Sequence, residues 1–352
     1  MSAALGNVAF DRIAIVMMSA VGDTVHVLPV ICALKRQFPG THITWVLQPG
    51  PAALVRGHDA IDEIIVFDRS HGLRGFIHVR RELASRRFDL VLNLQVYLKA
   101  GIITAFTHAP VKLGFDRARA RDFNWLFTTH RIPAQPIQHV QDQYFEFLHA
   151  LNVQPDPIEW RLGPWENERE SQRSFLAQFD RPIAPIVVAT SKVHKDWLPL
   201  RWAAVCDALV NDFRLTPVLV GGRTPRELAA ESAIKAAARV PLHSALGSGL
   251  RNLVGIIDAA ALVLSPDTGP LHMSVALDRP VVSLIGYSNP RRVGPYRKFS
   301  DLVIDAYGDP GEDYRATMES RPGRMTRITV LDVLDKVEHW RASYASRSVP
   351  KS

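Results

Sequence analysis

An apolar run at residues 259–264 leads directly into Ser265-Pro266-Asp267-Thr268-Gly269-Pro270-Leu271-His272. The run has the length and character of a buried strand, and Asp-Thr-Gly is typical of a tight turn. Pro270 predicts the start of a helix, because proline is favoured at the first helical position, where its missing N–H is not needed. A helix that begins in this way offers free backbone N–H groups beside a threonine hydroxyl and a histidine, which suits a diphosphate.

Each side chain of this stretch also has a plain structural interpretation. Asp267 is a residue type that forms turns, and His272 could be a core histidine of a helix. Taken singly, these interpretations are favoured. The phosphate-binding hypothesis depends on the whole strand–turn–helix unit.

The same order of strand, turn and helix recurs along the chain. Apolar runs that predict strands lie at residues 12–18, 41–47, 61–67 and 89–94, and again at 186–189, 217–220, 262–265 and 281–284. Helical patterns separate them, and a stretch rich in proline and aromatic residues divides the two halves. Such alternation predicts parallel βαβ units, so we expect two Rossmann-like domains, residues 1–165 and 166–329, with ligands bound at the carboxyl ends of their strands. A last amphipathic helix and a polar tail occupy residues 330–352.

Composition narrows the possible functions. The chain has 352 residues, enough for two domains, and a formal net charge of +7, which fits either general basicity or a preference for anionic ligands or a membrane surface. Cys32 and Cys206 have no metal or redox spacing, so we expect core residues in a reducing compartment. Neither a signal peptide nor a run of about 18 apolar residues is found, which predicts a cytoplasmic protein.

A second constellation is Ser19-Ala20-Val21-Gly22-Asp23-Thr24-Val25-His26, between a strand and a helix. Its single glycine excludes both the dinucleotide fingerprint and the Walker A loop. Asp23 has two interpretations. It caps the helix and suits the helix dipole, or it is a general base at the mouth of the expected cleft between the two predicted domains. Pro29 indicates a kink or a late helix start.

A third constellation is Thr190-Ser191-Lys192-Val193-His194-Lys195-Asp196-Trp197, which follows a predicted strand. Its hydroxyls and lysines could hold phosphate oxygens, although a solvated turn is the simpler interpretation. Basic residues are scattered over the first half with few aromatics among them, so a nucleic-acid partner is not indicated. No Cys/His cluster and no Asp-x-Asp motif occurs, so we expect no metal and no cofactor.

Together these segments resemble glycosyltransferase family 9, the ADP-heptose:lipopolysaccharide heptosyltransferases. The matching pieces recur in the family's order over roughly residues 12–300. They are Gly22-Asp23-Thr24-Val25-His26-Val27-Leu28-Pro29, Lys195-Asp196-Trp197, Asp267-Thr268-Gly269-Pro270-Leu271-His272 and Ala276-Leu277-Asp278-Arg279-Pro280.

The resemblance implies a GT-B fold, in which two Rossmann-like domains face each other across a cleft and the C-terminal helix crosses back to the first domain. It implies inverting transfer of heptose from ADP-L-glycero-D-manno-heptose to a Kdo or heptose acceptor in the inner core of bacterial lipopolysaccharide. The donor would bind to the second half and the acceptor to the first. Because the Kdo carboxylates and lipid A phosphates of such an acceptor are anionic, binding it would account for part of the basicity. The resemblance also implies peripheral contact with the inner face of the inner membrane.

The resemblance also implies roles for single residues. Asp23 resembles the general base, and Lys195 the cation that meets the diphosphate. Thr268 and Gly269 resemble the pyrophosphate cradle, and Asp267 the residue that holds heptose hydroxyls. The remaining donor-site residues by resemblance are Thr190, Ser191, Glu227 for the ribose, and His272, and the acceptor-binding residues are Lys99, Arg117 and Arg121.

Three alternatives stay open. Gly221 stands where sequences like heptosyltransferase I tend to have tryptophan, so neither the acceptor nor the transfer step is assigned, and another nucleotide sugar could be the donor. A GT-B-like nucleotide-sugar epimerase would need no acceptor. A non-catalytic sugar- or lipid-binding module would bind the acceptor without releasing ADP.

Overall fold

The computed structural model describes residues 10–345, which form two compact units. The first unit runs to Pro136 and includes Val140–Arg161; the second comprises Ile137–His139 and the chain from Leu162 onward. The boundary therefore lies four residues before the expected position after residue 165. The reason is that Arg251 of the second unit holds this segment, donating to the carbonyl oxygen of Leu162 at 3.0 Å and pairing with Glu168 at 2.5 Å.

The first unit is a parallel sheet with its helices. Its strands are β1 (Arg12–Val16), β2 (His42–Leu47), β3 (Glu63–Val66), β4 (Leu90–Asn93), β5 (Val111–Gly114) and β6 (His130–Arg131), and its helices are α1 (Val21–Gln37), α2 (Pro49–Val55), α3 (Leu73–Ala84), α4 (Leu98–Phe106) and α5 (Val140–Ala150). The strand order is β3-β2-β1-β4-β5-β6, and every pairing is parallel.

The second unit repeats this plan. Its strands are β7 (Ile183–Val187), β8 (Thr216–Val220), β9 (His243–Ser244), β10 (Val263–Pro266), β11 (Val281–Ile285) and β12 (Val303–Asp305), and its helices are α6 (Arg169–Leu176), α7 (Pro199–Asn211), α8 (Pro225–Ala237), α9 (Leu250–Asp258), α10 (Gly269–Ala276), α11 (Pro290–Val293) and α12 (Val330–Ser343). The order is β12-β11-β10-β7-β8-β9, again with parallel pairings.

Both sheets therefore have the doubly wound order. The first three strands of each unit are added toward one edge of the sheet, and the fourth strand begins on the other side of the first. These switch points lie between β1 and β4 and between β7 and β10. The carboxyl ends of the strands on either side of a switch point form the crevice in which such sheets bind ligands. The central strands are buried, as continuous apolar runs predict. The expected pair of Rossmann-like α/β domains is confirmed.

Two local expectations have definite outcomes. Helix α1 begins at Val21 and contains Pro29, so a helix start after the proline is wrong. Cys32 and Cys206 are buried core residues, as expected, and burial raises the pKa of each thiol to about 12.

The C-terminal helix α12 packs within the second unit. Its buried side chains, Val333, Val337 and Trp340, belong to the same hydrophobic cluster as strands β7, β10 and β11, and the Trp340 indole donates to the carbonyl oxygen of Ala261. The resemblance implies that this helix crosses back to the first domain, whereas these contacts assign it to the second unit. The tail after residue 345 lies outside the described residues. From residue 10 to residue 345, no helix is long and apolar enough to span a membrane.

Candidate active site

In the first unit, Asp23 lies where the chain leaves β1 at the switch point. It is the third residue of α1 and is half-buried. Its Oδ2 accepts the backbone N–H of Ala20 at 3.0 Å, so the helix-capping interpretation is confirmed. Its Oδ1 accepts the Tyr144 hydroxyl at 3.1 Å. The carboxylate is therefore oriented by two hydrogen bonds from its own unit, and capping does not exclude a second role for it.

Helix α5 holds this end of α1 through buried polar contacts. Gln141 donates to the carbonyl oxygen of His26 at 2.8 Å, and its Oε1 lies 3.0 Å from His26 Nδ1. Both side chains are buried. Tyr144 lies one turn further along α5, so the Gln141–His26 contact fixes the distance from the Tyr144 hydroxyl to Asp23.

The loop after β4, across the switch point from Asp23, is tied to the turn at Asn124–Phe127. The N–H of Arg121 donates to the carbonyl oxygen of Val96 at 2.8 Å, and the buried Asn124 side chain donates to that of Tyr97 at the same distance. These contacts bring Arg121 beside the start of α4, where Lys99 is exposed. Two of the three predicted acceptor-binding residues are thereby neighbours.

The third predicted acceptor residue, Arg117, is exposed and stacks on the ring of Trp125, with 4.4 Å from its guanidinium carbon to the ring centroid. Beside it, Arg119 has a side chain that is only 9% exposed and lies between two carboxylates. Arg119 donates to both oxygens of Glu146 at 2.8 and 2.6 Å, and also pairs with Asp116. Burial alone would lower the pKa of Arg119, but the hydrogen bonds with Glu146 and Asp116 raise it. This cluster anchors the loop of Arg117 and Arg121 to α5.

Replacing Arg119 with alanine should strongly destabilise the first unit. Asp116 and Glu146 would be left buried without their cation, and breaking a buried ion pair in this way costs about 3–5 kcal/mol. The free energy of unfolding from urea denaturation measures the loss. Arg117→Ala, two residues away at an exposed position, is the matched control and should cost less than about 1 kcal/mol. Equal stability of the two variants would contradict the anchoring role.

In the second unit, a salt bridge joins the two sides of the other switch point. Lys195 follows β7 and Asp267 follows β10, and Lys195 Nζ lies 2.5 Å from Asp267 Oδ2. Asp267 is buried, and the lysine side chain is only 17% exposed. Two residues 72 positions apart are thus paired at the carboxyl edge of adjacent strands, as their shared position after parallel strands predicts.

The start of α10 supplies polar groups beside this pair. Thr268 is the N-cap residue of α10 and has an extended backbone, and its hydroxyl lies 3.0 Å from the Ser265 hydroxyl. Pro270 is in the first turn, as predicted. Among the described contacts, the N–H of Gly269 has no acceptor, which is usual for the first turn of a helix. His272 is buried, and its Nε2 lies 3.9 Å from Asp267 Oδ1.

The loop after β7 is shaped by its own hydrogen bonds. The Thr190 hydroxyl donates to the carbonyl oxygen of Lys192 at 2.7 Å and accepts the Lys192 N–H at 3.1 Å. Arg226 closes the loop from α8, pairing with Asp196 at 3.0 Å and donating to the Thr190 carbonyl oxygen. Ser191 is exposed. Thr190 therefore shapes the turn that presents Lys195.

Glu227 lies after β8, the strand on the other side of β7, and closes the capping box of α8. Its carboxylate accepts the N–H of Gly222 at 2.6 Å and both the N–H and hydroxyl of Thr224, at 2.9 and 2.6 Å. Burial raises the pKa of Glu227, but these hydrogen bonds lower it below its usual value. A Cβ at position 222 would lie 2.8 Å from the carboxylate, which explains a glycine there.

The predicted site residues thus divide between the two units. All the donor candidates follow β7, β8 or β10, three neighbouring strands, and all the acceptor candidates belong to the first unit. Sequence reasoning missed Tyr144, Arg119 and Arg226. Each of them contacts a partner that lies far away in the sequence, namely Asp23, Glu146 and Asp196. No local sequence pattern indicates such a contact, because only the fold brings the two residues together.

Comparison with known proteins identifies the family. The sequence model of glycosyltransferase family 9 (heptosyltransferase) matches residues 76–315, about two thirds of the chain. The chain belongs to glycosyltransferase family 9. It is therefore a glycosyltransferase, and the predicted family is confirmed.

Relatives of this family 9 member match over nearly its whole length. The lipopolysaccharide core heptosyltransferase OpsX of Haemophilus influenzae is 28% identical, with 92% of this chain and 95% of that protein covered. Among solved structures, the family 9 glycosyltransferase of Veillonella parvula has a TM-score of 0.79 at 22% identity, covering 95% and 98% of the two chains. The Escherichia coli heptosyltransferase WaaC with ADP has a TM-score of 0.71 at 23% identity, covering 95% and 99%. These structures agree with the GT-B fold class expected from the sequence.

Proposed function

We propose that this family 9 member transfers heptose from ADP-L-glycero-D-manno-heptose, with inversion, to a Kdo or heptose residue of the lipopolysaccharide inner core. The name of the Haemophilus influenzae relative supports the lipopolysaccharide core as the acceptor class. The observation that carries the proposal is the Lys195–Asp267 pair beside the N-terminus of α10, since it assembles a cation, a carboxylate and free N–H groups at a switch point.

The donor half of the proposal follows from charge. The leaving group of the transfer is ADP, so negative charge grows on the diphosphate as the bond to the anomeric carbon breaks. Lys195 and the N–H groups at Thr268 and Gly269 supply positive charge and hydrogen-bond donors for those oxygens. The Escherichia coli family member whose structure contains ADP supports a nucleotide of this kind. Asp267 holds heptose hydroxyls, His272 supports it, and Glu227 reaches the ribose. Thr190 and Ser191 give further hydrogen bonds to phosphate.

The acceptor half needs a base. In an inverting transfer, the acceptor oxygen attacks the anomeric carbon from the face opposite ADP, and one carboxylate takes the hydroxyl proton. Asp23 is that base in our proposal, and its orientation by Ala20 and Tyr144 supports the assignment. Lys99, Arg117 and Arg121 bind the anionic groups of the acceptor. We further propose a cytoplasmic enzyme that works at the inner face of the inner membrane, where a lipid-linked acceptor would be available.

Replacing Tyr144 with phenylalanine should lower kcat by about 10- to 100-fold. The change removes only the hydroxyl that donates to Asp23, and a hydrogen bond to a charged group is worth about 1.5–3 kcal/mol. Steady-state ADP release measures the effect, and KM for ADP-heptose should stay unchanged because Tyr144 is in the acceptor half. Tyr307→Phe removes the hydroxyl of another buried tyrosine and is the matched control. A Tyr144→Phe enzyme with full kcat would contradict the positioning role.

The deciding experiment is ADP release from ADP-heptose against a panel of acceptors with Kdo or heptose ends. We expect release only when an acceptor of the inner-core type is present, together with a new glycosidic product. Conversion of the nucleotide sugar without an acceptor would favour the epimerase alternative. Acceptor binding without ADP release would favour a non-catalytic module, and release with another nucleotide sugar would change the donor.

A further inference from the structure

The first unit carries a concentrated set of exposed hydrophobic side chains. In its described part, every large hydrophobic residue with a substantially exposed side chain lies on one of three segments: α3, the start of α4, and the turn at Asn124–Phe127 with the residue before it. These residues are Leu73, Ile77, Tyr97, Leu98, Phe123 and Leu126. Leu73 is 75% exposed, Phe123 68% and Leu126 59%. Exposed apolar side chains gathered in this way mark an interaction surface.

The three segments are neighbours. Helix α3 packs against α4, and α4 packs against the turn at Asn124–Phe127. Gly101 permits the second contact, because a Cβ at that position would overlap the ring of Phe127. The hydrogen bonds from Arg121 and Asn124 to the residues before α4 close the same junction. We name the six exposed hydrophobic residues, together with the exposed Arg69, Arg74, Arg80, Arg81 and Arg131, the docking patch.

The backbone holds Phe123 in its exposed position. Asp122 and Phe123 have φ angles of 51° and 58°, in the left-handed region that costs energy for a bulky residue. The next residue, Asn124, is fully buried and bonded to Asn93 and Tyr97. Because Asn124 fixes the backbone beside the exposed Phe123 ring, this segment loses little conformational entropy when the ring is buried against a partner.

Positive charge is concentrated on the same segments. Residues 69–87 and 97–131 contain twelve Lys and Arg against three Asp and Glu, a formal excess of nine, whereas the whole chain has +7. Many of these cations have no carboxylate partner among the described ion pairs: Arg69, Arg74, Arg80, Arg81, Lys99, Arg117, Arg121 and Arg131. On α3, Arg80 and Arg81 lie one turn beyond the exposed Ile77. Hydrophobic and basic side chains are thus interleaved.

We infer that the docking patch binds the surface of an anionic phospholipid bilayer. Exposed Leu, Phe and Tyr side chains enter the boundary between headgroups and acyl chains, while Lys and Arg pair with anionic headgroups, each worth an additional favourable contribution. A protein partner would need an acidic surface that matches the docking patch over its whole area. An anionic bilayer presents negative charge and an apolar interior over any such area. The inference deepens the proposed function, on which it rests for the lipid-linked acceptor, by naming the surface that meets the membrane.

Vesicle co-sedimentation of the full chain tests this inference without any substrate. Wild type should sediment with vesicles of phosphatidylethanolamine and phosphatidylglycerol, and much less with neutral phosphatidylcholine vesicles or at high salt. The double variant Leu73→Ser/Phe123→Ser should bind at least about tenfold more weakly, because two large apolar side chains no longer enter the bilayer. Leu331→Ser is the matched control, since Leu331 is 70% exposed near the start of α12 and lies outside the docking patch; it should bind as wild type does.

Three results would overturn the inference: no sedimentation of wild type, equal sedimentation of the double variant, or loss of a wild-type dimer in the double variant. The last result would assign the docking patch to contact between copies of this chain. A second assay, ADP release with an inner-core acceptor that carries no acyl chains, tests sugar transfer without a membrane. It therefore separates the proposed function from the membrane-binding inference. If the chain binds vesicles but transfers no sugar, the proposed function fails and the docking inference stands. If the double variant transfers sugar to the acyl-free acceptor at the wild-type rate, the substitution has spared the site.

Discussion

Replacing Asp23 with alanine should lower kcat for heptose transfer by about 10²–10⁴, the range that a positioned general base contributes. Without the carboxylate, the acceptor hydroxyl must lose its proton to water as it attacks. Binding of ADP-heptose should be unchanged, because the donor candidates belong to the second unit. ADP release at saturating donor and acceptor, with calorimetric binding of ADP, measures both quantities.

The control for this variant must separate chemistry from helix capping, since Asp23 also accepts the Ala20 N–H. Asp332 provides it. It has the same position in α12, where it accepts the N–H of Thr329 at 2.7 Å, and it has no proposed part in the reaction. Asp332→Ala should lose a similar capping energy, about 0.5–2 kcal/mol, with full kcat. If Asp23→Ala keeps wild-type turnover, Asp23 is a capping residue and the base lies elsewhere.

Replacing Lys195 with alanine should lower kcat/KM by about 10²–10³, the effect of removing one group that stabilises developing negative charge. The variant also leaves Asp267 buried without the cation 2.5 Å away, so the carboxylate would repel the diphosphate instead of being neutralised. ADP affinity by calorimetry and kcat/KM for ADP-heptose are the measurements. Lys192→Ala removes an exposed lysine from the same loop and is the matched control.

The result that contradicts this assignment is an unchanged ADP affinity together with an unchanged kcat/KM. A Lys195→Arg variant refines the test. Arginine keeps the charge but spreads it over a planar fork, so it should recover ADP affinity more fully than it recovers the rate. Equal loss in the alanine and arginine variants would indicate that the shape of the Lys195–Asp267 pair, rather than its charge, is what the site requires.

The positions of several candidate site residues could be predicted, because parallel sheets bring the residues that follow their strands to one edge. Lys195 and Asp267 each follow an apolar run, and in a doubly wound sheet the residues after the strands that flank the switch point lie close together. Asp23 has the equivalent position in the sheet of the first unit. The pairing of Lys195 with Asp267 therefore follows from the fold class. Pro270 likewise predicted the start of α10, since the constraint is local to the proline ring.

The rest depends on contacts that leave no local pattern. Tyr144 and Asp23 are 121 positions apart, and nothing in the spacing of α5 indicates which of its polar residues faces α1. The sequence suggests a ribose-binding carboxylate at Glu227, whereas the structure shows that this side chain closes the capping box of α8. The sequence alone does not separate the two roles, because a glutamate can accept hydrogen bonds from a helix N-terminus or from sugar hydroxyls. The domain boundary after Arg161 depends on how far Arg251 reaches, which is a property of tertiary packing.

Helix α5 has one consequence for the thermodynamics of the first unit. On one side its Gln141 and Tyr144 contact α1 and Asp23, and its Glu146 holds Arg119 in the loop of Arg117 and Arg121. The group assigned to proton removal and the loop assigned to anion recognition are therefore both held by the same helix. A substitution that shifts the basic loop should therefore also disturb the contacts that α5 makes with Asp23. We expect the changes in the free energy of unfolding caused by substitutions at the two places to be non-additive.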